Sequence, residues 1–190
     1  MISLFIDTSL SDVSIALLND RKMLSCIQGD IPGEHSVYVT KYIEDILKEQ
    51  KLSPKEINEI IVVNGPVSFT GIRIGVTIAK TFAYLTNIRI VTITSLQARI
   101  IGRKAEYFLS TIDAKHDNYY VGLYDNNYEK VSEEFLTKNM VNELIKKYNP
   151  LVITEKDKYN IEEIVEYTRK FKSENVHSVN PVYLKSPQVN

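Results

Sequence analysis

The spacing of apolar and polar residues predicts a series of strands and helices in the first half of the chain. Short apolar runs predict strands over residues 2–6, 13–18, 22–28, 60–63 and 90–93. Helical periodicity begins near Ser36 and continues to about residue 50, and a second helix is predicted through residues 71–85. Ser53 and Glu56 fit a capping box for a short helix, and Ser95 is predicted to cap another. The predicted order of the main elements is β-β-β-α-β-α-β-α.

The second half of the chain repeats this pattern in reduced form. Strands are predicted over residues 108–113, 119–124, 130–135 and 151–154, and helices over 139–148 and 161–171. In each half the first strand ends in an aspartate, Asp7 and Asp113. A duplicated β-β-β-α-β-α unit is the arrangement of the actin-like ATPase fold (ASKHA, ribonuclease H-like), of the α/β class. We therefore predict an N-terminal lobe over 1–103 and a smaller, reduced C-terminal lobe over 104–190.

Composition and charge exclude several function classes. The 190 residues are 44% hydrophobic and 25% charged, which is typical of a globular protein and not of a disordered one. The net charge of −1 creates no global field that would attract nucleic acid, so we expect any nucleic acid to be bound only through a partner. No apolar run approaches the roughly 18 residues of a membrane span. We expect a cytoplasmic protein without membrane contact.

Residues 64–75 connect a predicted strand to the second predicted helix through a tight turn. Gly65-Pro66 ends the strand, Ser68 or Thr70 can cap the helix, and Gly71 permits close approach of another backbone. The helix start is therefore suited to anions. However, the glycine spacing fits neither a Walker loop nor a dinucleotide-binding fingerprint. An ordinary turn and a phosphate-binding turn both remain as interpretations.

The same stretch carries a resemblance to a known family. It contains G-P-V-S-F-T-G-I-R-I-G and resembles the G-P-G-S-F-T-G-[LI]-R-I-G signature of the TsaB (YeaZ) family of the bacterial tRNA threonylcarbamoyladenosine pathway. Val67 replaces the second glycine of the signature, and we predict that it does not have positive φ. Further matches follow in the family's order: Ile6–Ser9, His35-Ser36, Asp113–Lys115 and Pro181–Lys185.

The resemblance implies an accessory role and not catalysis. A TsaB-like chain would be a non-catalytic scaffold subunit of the complex that places threonylcarbamoyl on N6 of adenosine 37 in tRNA. It would support the paralogous transferase TsaD together with the ATPase TsaE, and it would form a homodimer when alone. The resemblance gives the chain no cofactor of its own, but ATP or ADP with magnesium could bind at the complex interface. A stand-alone actin-like ATPase or phosphotransferase and a peptidase are the alternative function classes.

The partner surface implied by the family lies on the helices predicted over 36–50 and 71–85. In the second helix, Ile74, Ile78, Phe82 and Leu85 are expected to form the core stripe, and Gly75, Ala79 and Ala83 form a stripe of small residues beside it. The candidate interface residues are Tyr38, Tyr42, Arg73, Val76, Ala79, Lys80, Ala83 and Tyr84. Alternatively, the small stripe packs inside its own lobe, and the partner surface then lies on the polar side of the helix.

Candidate chemistry is concentrated at the two strand ends. In an actin-like cleft, Asp7 and Asp113 would orient water or magnesium, and Thr8 and Ser9 would donate to phosphate oxygens. The alternative is that each carboxylate caps a turn through backbone N–H groups. The three histidines are too scattered to form a metal-binding pair, and no Ser/His/Asp or Cys/His arrangement supports a peptidase. We therefore expect no metal site and no catalytic residues.

Overall fold

The computed structural model describes residues 1–10, 12–30, 35–67 and 69–184. The first half forms a five-stranded sheet in the order β3-β2-β1-β4-β5. β1, β2 and β3 pair antiparallel in sequence, β4 pairs parallel with β1, and β5 pairs parallel with β4. The elements are β1 (Ile2–Asp7), β2 (Asp12–Asn19), β3 (Lys22–Asp30), α1 (His35–Glu49), β4 (Glu59–Val63), α2 (Phe69–Thr86), β5 (Arg89–Ile93) and α3 (Ser95–Ala98).

The second half repeats this topology with four strands in the order β8-β7-β6-β9. Again the first strand pairs antiparallel on one side and parallel with the strand that follows the helix. The elements are β6 (Tyr107–Asp113), β7 (Asn118–Asp125), β8 (Lys130–Thr137), α4 (Lys138–Tyr148), β9 (Leu151–Ile153) and α5 (Ile161–Thr168). The actin-like fold with a reduced second half, predicted from the duplicated pattern, is confirmed.

The main core belongs to the first sheet but includes the end of the chain. All five residues of β4 are buried, which is typical of a central parallel strand covered on both faces. Ile164 and Val165 of α5 belong to the same core cluster as the first sheet. Beyond α5, the amide of Glu174 donates to the Ile90 carbonyl (2.9 Å) and the amide of Val182 to the Asn64 carbonyl (2.7 Å). The first sheet ends with β5 and the second sheet begins with β6, but residues after 160 return to the first sheet.

Helix α2 presents to the sheet the face that we predicted for a partner. Ile72, Val76, Ala79 and Ala83 are buried, whereas Leu85 of the predicted core stripe is 75% exposed. Ile74, Ile78 and Phe82 are only partly buried. The small stripe therefore forms the buried face, whereas the predicted core stripe packs against the core only in part. The small face is inside because the helix approaches β1 so closely that a Cβ on Gly75 would lie 2.3 Å from Oγ1 of Thr8.

The turn before α2 matches the prediction for Val67. Gly65 has φ +103°, a conformation that favours glycine, and Val67 is not among the described residues with positive φ. Val67 is buried, so its side chain contributes to the core. The predicted cap at Ser68 or Thr70 lies outside the described residues and side chains. None of the helices in the described ranges has the length and apolar character required to cross a membrane.

The predicted caps have mixed outcomes. Ser53 and Glu56 form the expected capping box, with the Ser53 amide donating to the Glu56 carboxylate (2.7 Å). The cap of α3 is Thr94 and not Ser95: Oγ1 of Thr94 accepts from the Gln97 amide (3.1 Å). Ser95 cannot take this role because its hydroxyl donates to the Pro66 carbonyl (2.8 Å), which joins α3 to the turn before α2.

Candidate functional site

Asp7, at the carboxyl end of β1, is buried, and both of its carboxylate oxygens accept hydrogen bonds. One oxygen accepts from the Ser9 amide (2.7 Å) and the other accepts from the Tyr159 hydroxyl (2.6 Å). Burial, and then the charge of Asp7, raise the pKa of Tyr159 well above its ordinary value. Tyr159 therefore stays a neutral donor. Asp7 ties the first strand to the loop before α5 and also caps its own turn.

The two residues after Asp7 are also engaged. The Thr8 hydroxyl donates to the Gly71 carbonyl (2.7 Å), which attaches the first turn of α2 to the end of β1. The Ser9 amide is used by Asp7, and the Ser9 hydroxyl is buried without a partner among the described residues. Neither the Thr8 hydroxyl nor the Ser9 amide is available to a phosphate without breaking an observed bond.

Asp113, the second strand-end aspartate, lies at an exposed turn. Its carboxylate accepts from the Lys115 amide (2.8 Å) and lies 3.6 Å from the Lys115 ammonium. The Ala114 amide donates to the Asn118 carbonyl (2.9 Å). Asp7 and Asp113 thus both cap turns, which is the alternative left open above. In this geometry the Asp7 carboxylate, the Thr8 hydroxyl and the Ser9 amide each take part in a hydrogen bond within the chain.

A cavity of about 410 Å³ adjoins Asp7. Arg99, Tyr159 and the loop of residues 155–158 line it, and Asp113 does not. Arg99 was missed by the sequence reasoning, since nothing in the pattern after α3 distinguishes a buried arginine from an exposed one. Within the described ranges, no group of three or more His, Cys, Asp or Glu side chains is arranged to hold a metal ion.

A second feature is the apolar surface formed by α1 and α2. Tyr38 is 37% exposed and its ring centroid lies 6.2 Å from that of Tyr42, one turn later on α1. Leu85, near the end of α2, is 75% exposed. A groove of about 450 Å³ runs between the two helices. Its apolar lining consists of Ile43, Leu47, Leu52, Pro54, Ile78 and Phe82.

Part of the predicted partner surface is not available to a partner. Val76, Ala79 and Ala83 are at most 3% exposed because they pack on the sheet of their own lobe, so these three assignments are corrected. Tyr38 and Tyr42 lie on the surface described above.

The polar side of α2 carries the C-terminal segment of residues 177–183. Arg73 Nε donates to the Tyr183 hydroxyl (3.0 Å) and Lys80 donates to the Val179 carbonyl (2.8 Å). The centroids of the Tyr84 and His177 rings lie 5.6 Å apart, in an edge-to-face arrangement. Of the three sides of α2, only the one next to α1 therefore exposes apolar side chains that no described segment covers.

Comparison with known proteins gives consistent results. The model of the family "TsaD: tRNA N6-adenosine threonylcarbamoyltransferase" matches residues 18–182. The tRNA threonylcarbamoyladenosine biosynthesis protein TsaB of Bacillus subtilis is 36% identical over 126 residues, which cover 65% of this chain and 55% of that protein. The chain thus spans about half the length of this curated relative. The protein MG208 of Mycoplasma genitalium is 28% identical over 195 residues and matches 97% of this chain and 95% of its own.

Among solved structures, YeaZ from Pseudomonas aeruginosa has a TM-score of 0.77 with 21% identity. The match covers 96% of this chain and 99% of that one. At this identity the likeness establishes the fold alone, and it agrees with the duplicated topology.

Proposed function

Because the chain belongs to the TsaB (YeaZ) family, within the broader family matched by the TsaD model, we propose that it takes part in the biosynthesis of tRNA threonylcarbamoyladenosine. Its role is that of a non-catalytic subunit that binds and supports a TsaD-type threonylcarbamoyltransferase, together with a TsaE-type ATPase. The observation that supports this role is the exposed apolar surface of α1 and α2. An uncovered apolar patch on a globular domain usually marks an association site.

The chain's own similarity to the TsaD family supports the choice of partner. A TsaD-type partner of the same fold would present two helices equivalent to α1 and α2. Two similar surfaces can then pair about a pseudo-two-fold axis, as identical surfaces do in a symmetric dimer. The same surface would make the homodimer when the chain is alone. Leu85, Phe82 and Tyr38 are the side chains that gain most from such burial, at about 25 cal/mol per Å² of apolar area.

The rest of the proposal concerns nucleotide, tRNA and the cellular location. The chain holds no nucleotide on its four strand-end candidates, and ATP or ADP with magnesium binds instead at an interface with a partner. With a net charge of −1 it contacts tRNA only through the complex. The complex works in the cytoplasm.

The decisive experiment places a charge on the apolar surface without touching the core. Leu85→Asp changes a side chain that is 75% exposed, so the variant should fold like the unchanged protein. We expect its affinity for the TsaD-type protein of the same cell to fall at least tenfold, because a carboxylate buried without a partner costs several kcal/mol. Binding is measured by calorimetry and folding by circular dichroism.

A matched control separates this surface from a general effect of charge. Val131→Asp alters a half-exposed apolar residue of β8, on the second sheet, and should leave the affinity unchanged. Normal binding by Leu85→Asp, or an equal loss with Val131→Asp, would refute the α1–α2 surface. Steady magnesium-dependent ATP turnover by the isolated chain would instead support the stand-alone ATPase.

A further inference from the structure

The cavity beside Asp7 contains a buried positive charge. Arg99 follows α3, lines the cavity and is only 2% exposed. Its Nη1 donates to the Ser95 carbonyl (2.6 Å), and its Nε has no hydrogen-bond partner among the described residues. The guanidinium carbon lies 5.5 Å from the centroid of the Tyr159 ring, a distance typical of a cation–π contact. These contacts hold the side chain in place, and none of the described ion pairs includes Arg99.

Two acidic side chains that line the same cavity make their direct contacts with groups other than Arg99. Asp7 accepts from the Ser9 amide and the Tyr159 hydroxyl. Asp157 accepts from both the amide (2.9 Å) and the hydroxyl (3.0 Å) of Thr154 and forms an ion pair with Arg103 (3.7 Å). No described carboxylate lies within ion-pair distance of Arg99. A water molecule could accept the Nε hydrogen bond, but it could not neutralise the charge, and burying an unpaired charge is costly.

We propose that this cavity binds the carboxylate group of a small molecule and that Arg99 is its anion-binding side chain. A guanidinium presents parallel N–H groups that match the two oxygens of a carboxylate. The volume of about 410 Å³ lies within the range of small-molecule sites, which are roughly 300–1,000 Å³. This site does not depend on the partner surface of α1 and α2.

The charges of the lining select the class of anion. Three acidic and three basic side chains line the cavity, so their formal charges cancel: Asp7, Glu155, Asp157, Arg99, Lys156 and Lys158. A singly charged carboxylate that pairs with Arg99 adds little repulsion. A phosphate dianion or a polyphosphate would meet the same acidic side chains with at least twice the charge. The cavity therefore suits a carboxylic acid or an amino acid better than a nucleotide.

The direct test observes the Arg99 side chain itself. The Nε–H resonance of Arg99 is assigned in the ¹⁵N-labelled protein by its absence from the Arg99→Lys variant. The protein is then titrated with sodium acetate, sodium phosphate or sodium chloride at equal ionic strength and pH. We expect a saturable shift with acetate, binding of phosphate at least fivefold weaker, and no saturable shift with chloride.

Stability measurements provide a second readout. Acetate should raise the thermal midpoint of the unchanged protein but not that of Arg99→Met, which keeps the side-chain bulk and removes the charge. Arg21→Met is the matched control, because Arg21 is an exposed arginine that does not line the cavity. It should respond to acetate as the unchanged protein does. If Arg99→Met fails to fold, the resonance titration decides the question.

Two results would overturn the proposal. One is the absence of a saturable shift with acetate. The Glu155→Gln variant would then show why acetate does not bind. A thermal midpoint lower than that of the unchanged protein would indicate that Glu155, which lines the cavity, neutralises Arg99 within the chain. The other contrary result is tighter binding of phosphate than of acetate, which would refute the carboxylate assignment.

Discussion

Gly75→Ala tests the close packing of α2 on the end of β1. An added Cβ would lie 2.3 Å from Oγ1 of Thr8, about 1.1 Å closer than the 3.4 Å at which ordinary contact begins. Thr8 is fully buried and its hydroxyl donates to Gly71, so it cannot rotate away without losing that bond. Either the helix shifts outward or the hydrogen bond breaks.

The expected cost combines three effects. Overpacking a core costs about 1–3 kcal/mol. Loss of the hydroxyl's bond to the buried Gly71 carbonyl costs about 1–3 kcal/mol. Replacing glycine by alanine within a helix returns about 1 kcal/mol. We therefore expect Gly75→Ala to lower the free energy of unfolding by about 1–5 kcal/mol, measured by urea denaturation followed by circular dichroism.

Two further variants make the prediction specific. Gly29→Ala introduces the same methyl group where no described atom beyond the neighbouring residues lies within 4 Å, so it should be neutral or stabilising by up to about 1 kcal/mol. Thr8→Ala combined with Gly75→Ala removes the collision and should cost about 1–2 kcal/mol less than the sum of the single changes. If Gly75→Ala is no more destabilising than Gly29→Ala, α2 does not lie on Thr8 as described.

Two other predictions concern the core and its tyrosines. Arg89→Met should lower the free energy of unfolding by about 3–5 kcal/mol, because it leaves the fully buried Glu59 carboxylate without its ion-pair partner. The double variant Arg89→Met with Glu59→Met removes both charges and should lower it less. Equal denaturation midpoints for the two variants would contradict this. Burial is the largest cause that raises the pKa of Tyr124 and Tyr159 well above the ordinary value of 10.0. Their contribution to stability is complete below pH 10 and is lost as pH rises toward the folded-state pKa values, because the unfolded chain ionises first. Phenolate absorbance should therefore rise in two steps, the second coinciding with unfolding; a single step near pH 10 with the fold intact would disprove it.

The sequence alone was sufficient for the elements and for the duplicated topology. Strand and helix periods are local properties, and the buried face of α1 could be read from Val39, Ile43, Ile46 and Leu47, all of which are buried. Repetition of the same order of elements then indicated the fold. The conformation of the turn at Val67 could also be predicted, since valine tolerates positive φ poorly.

The orientation of α2 required the tertiary structure. Its sequence contains two apolar stripes, and periodicity shows which residues share a face but not which face meets the sheet. The orientation of α2 depends on Thr8, more than 60 residues earlier in the chain, because Gly71 and Gly75 allow the helix to approach Thr8 closely. The larger side chains of Ile78, Phe82 and Leu85 were left toward α1 and solvent.

The chemistry of the strand ends was likewise decided by distant residues. The sequence placed Asp7 correctly at the end of β1, but it could not show that the Tyr159 hydroxyl, 152 positions later, occupies one of its oxygens. Nor could it show that Arg99 is buried beside the same cavity. Hydrogen bonds and charge compensation depend on which side chains meet in space, and the pairing of the first sheet with the end of the chain brings these three residues together.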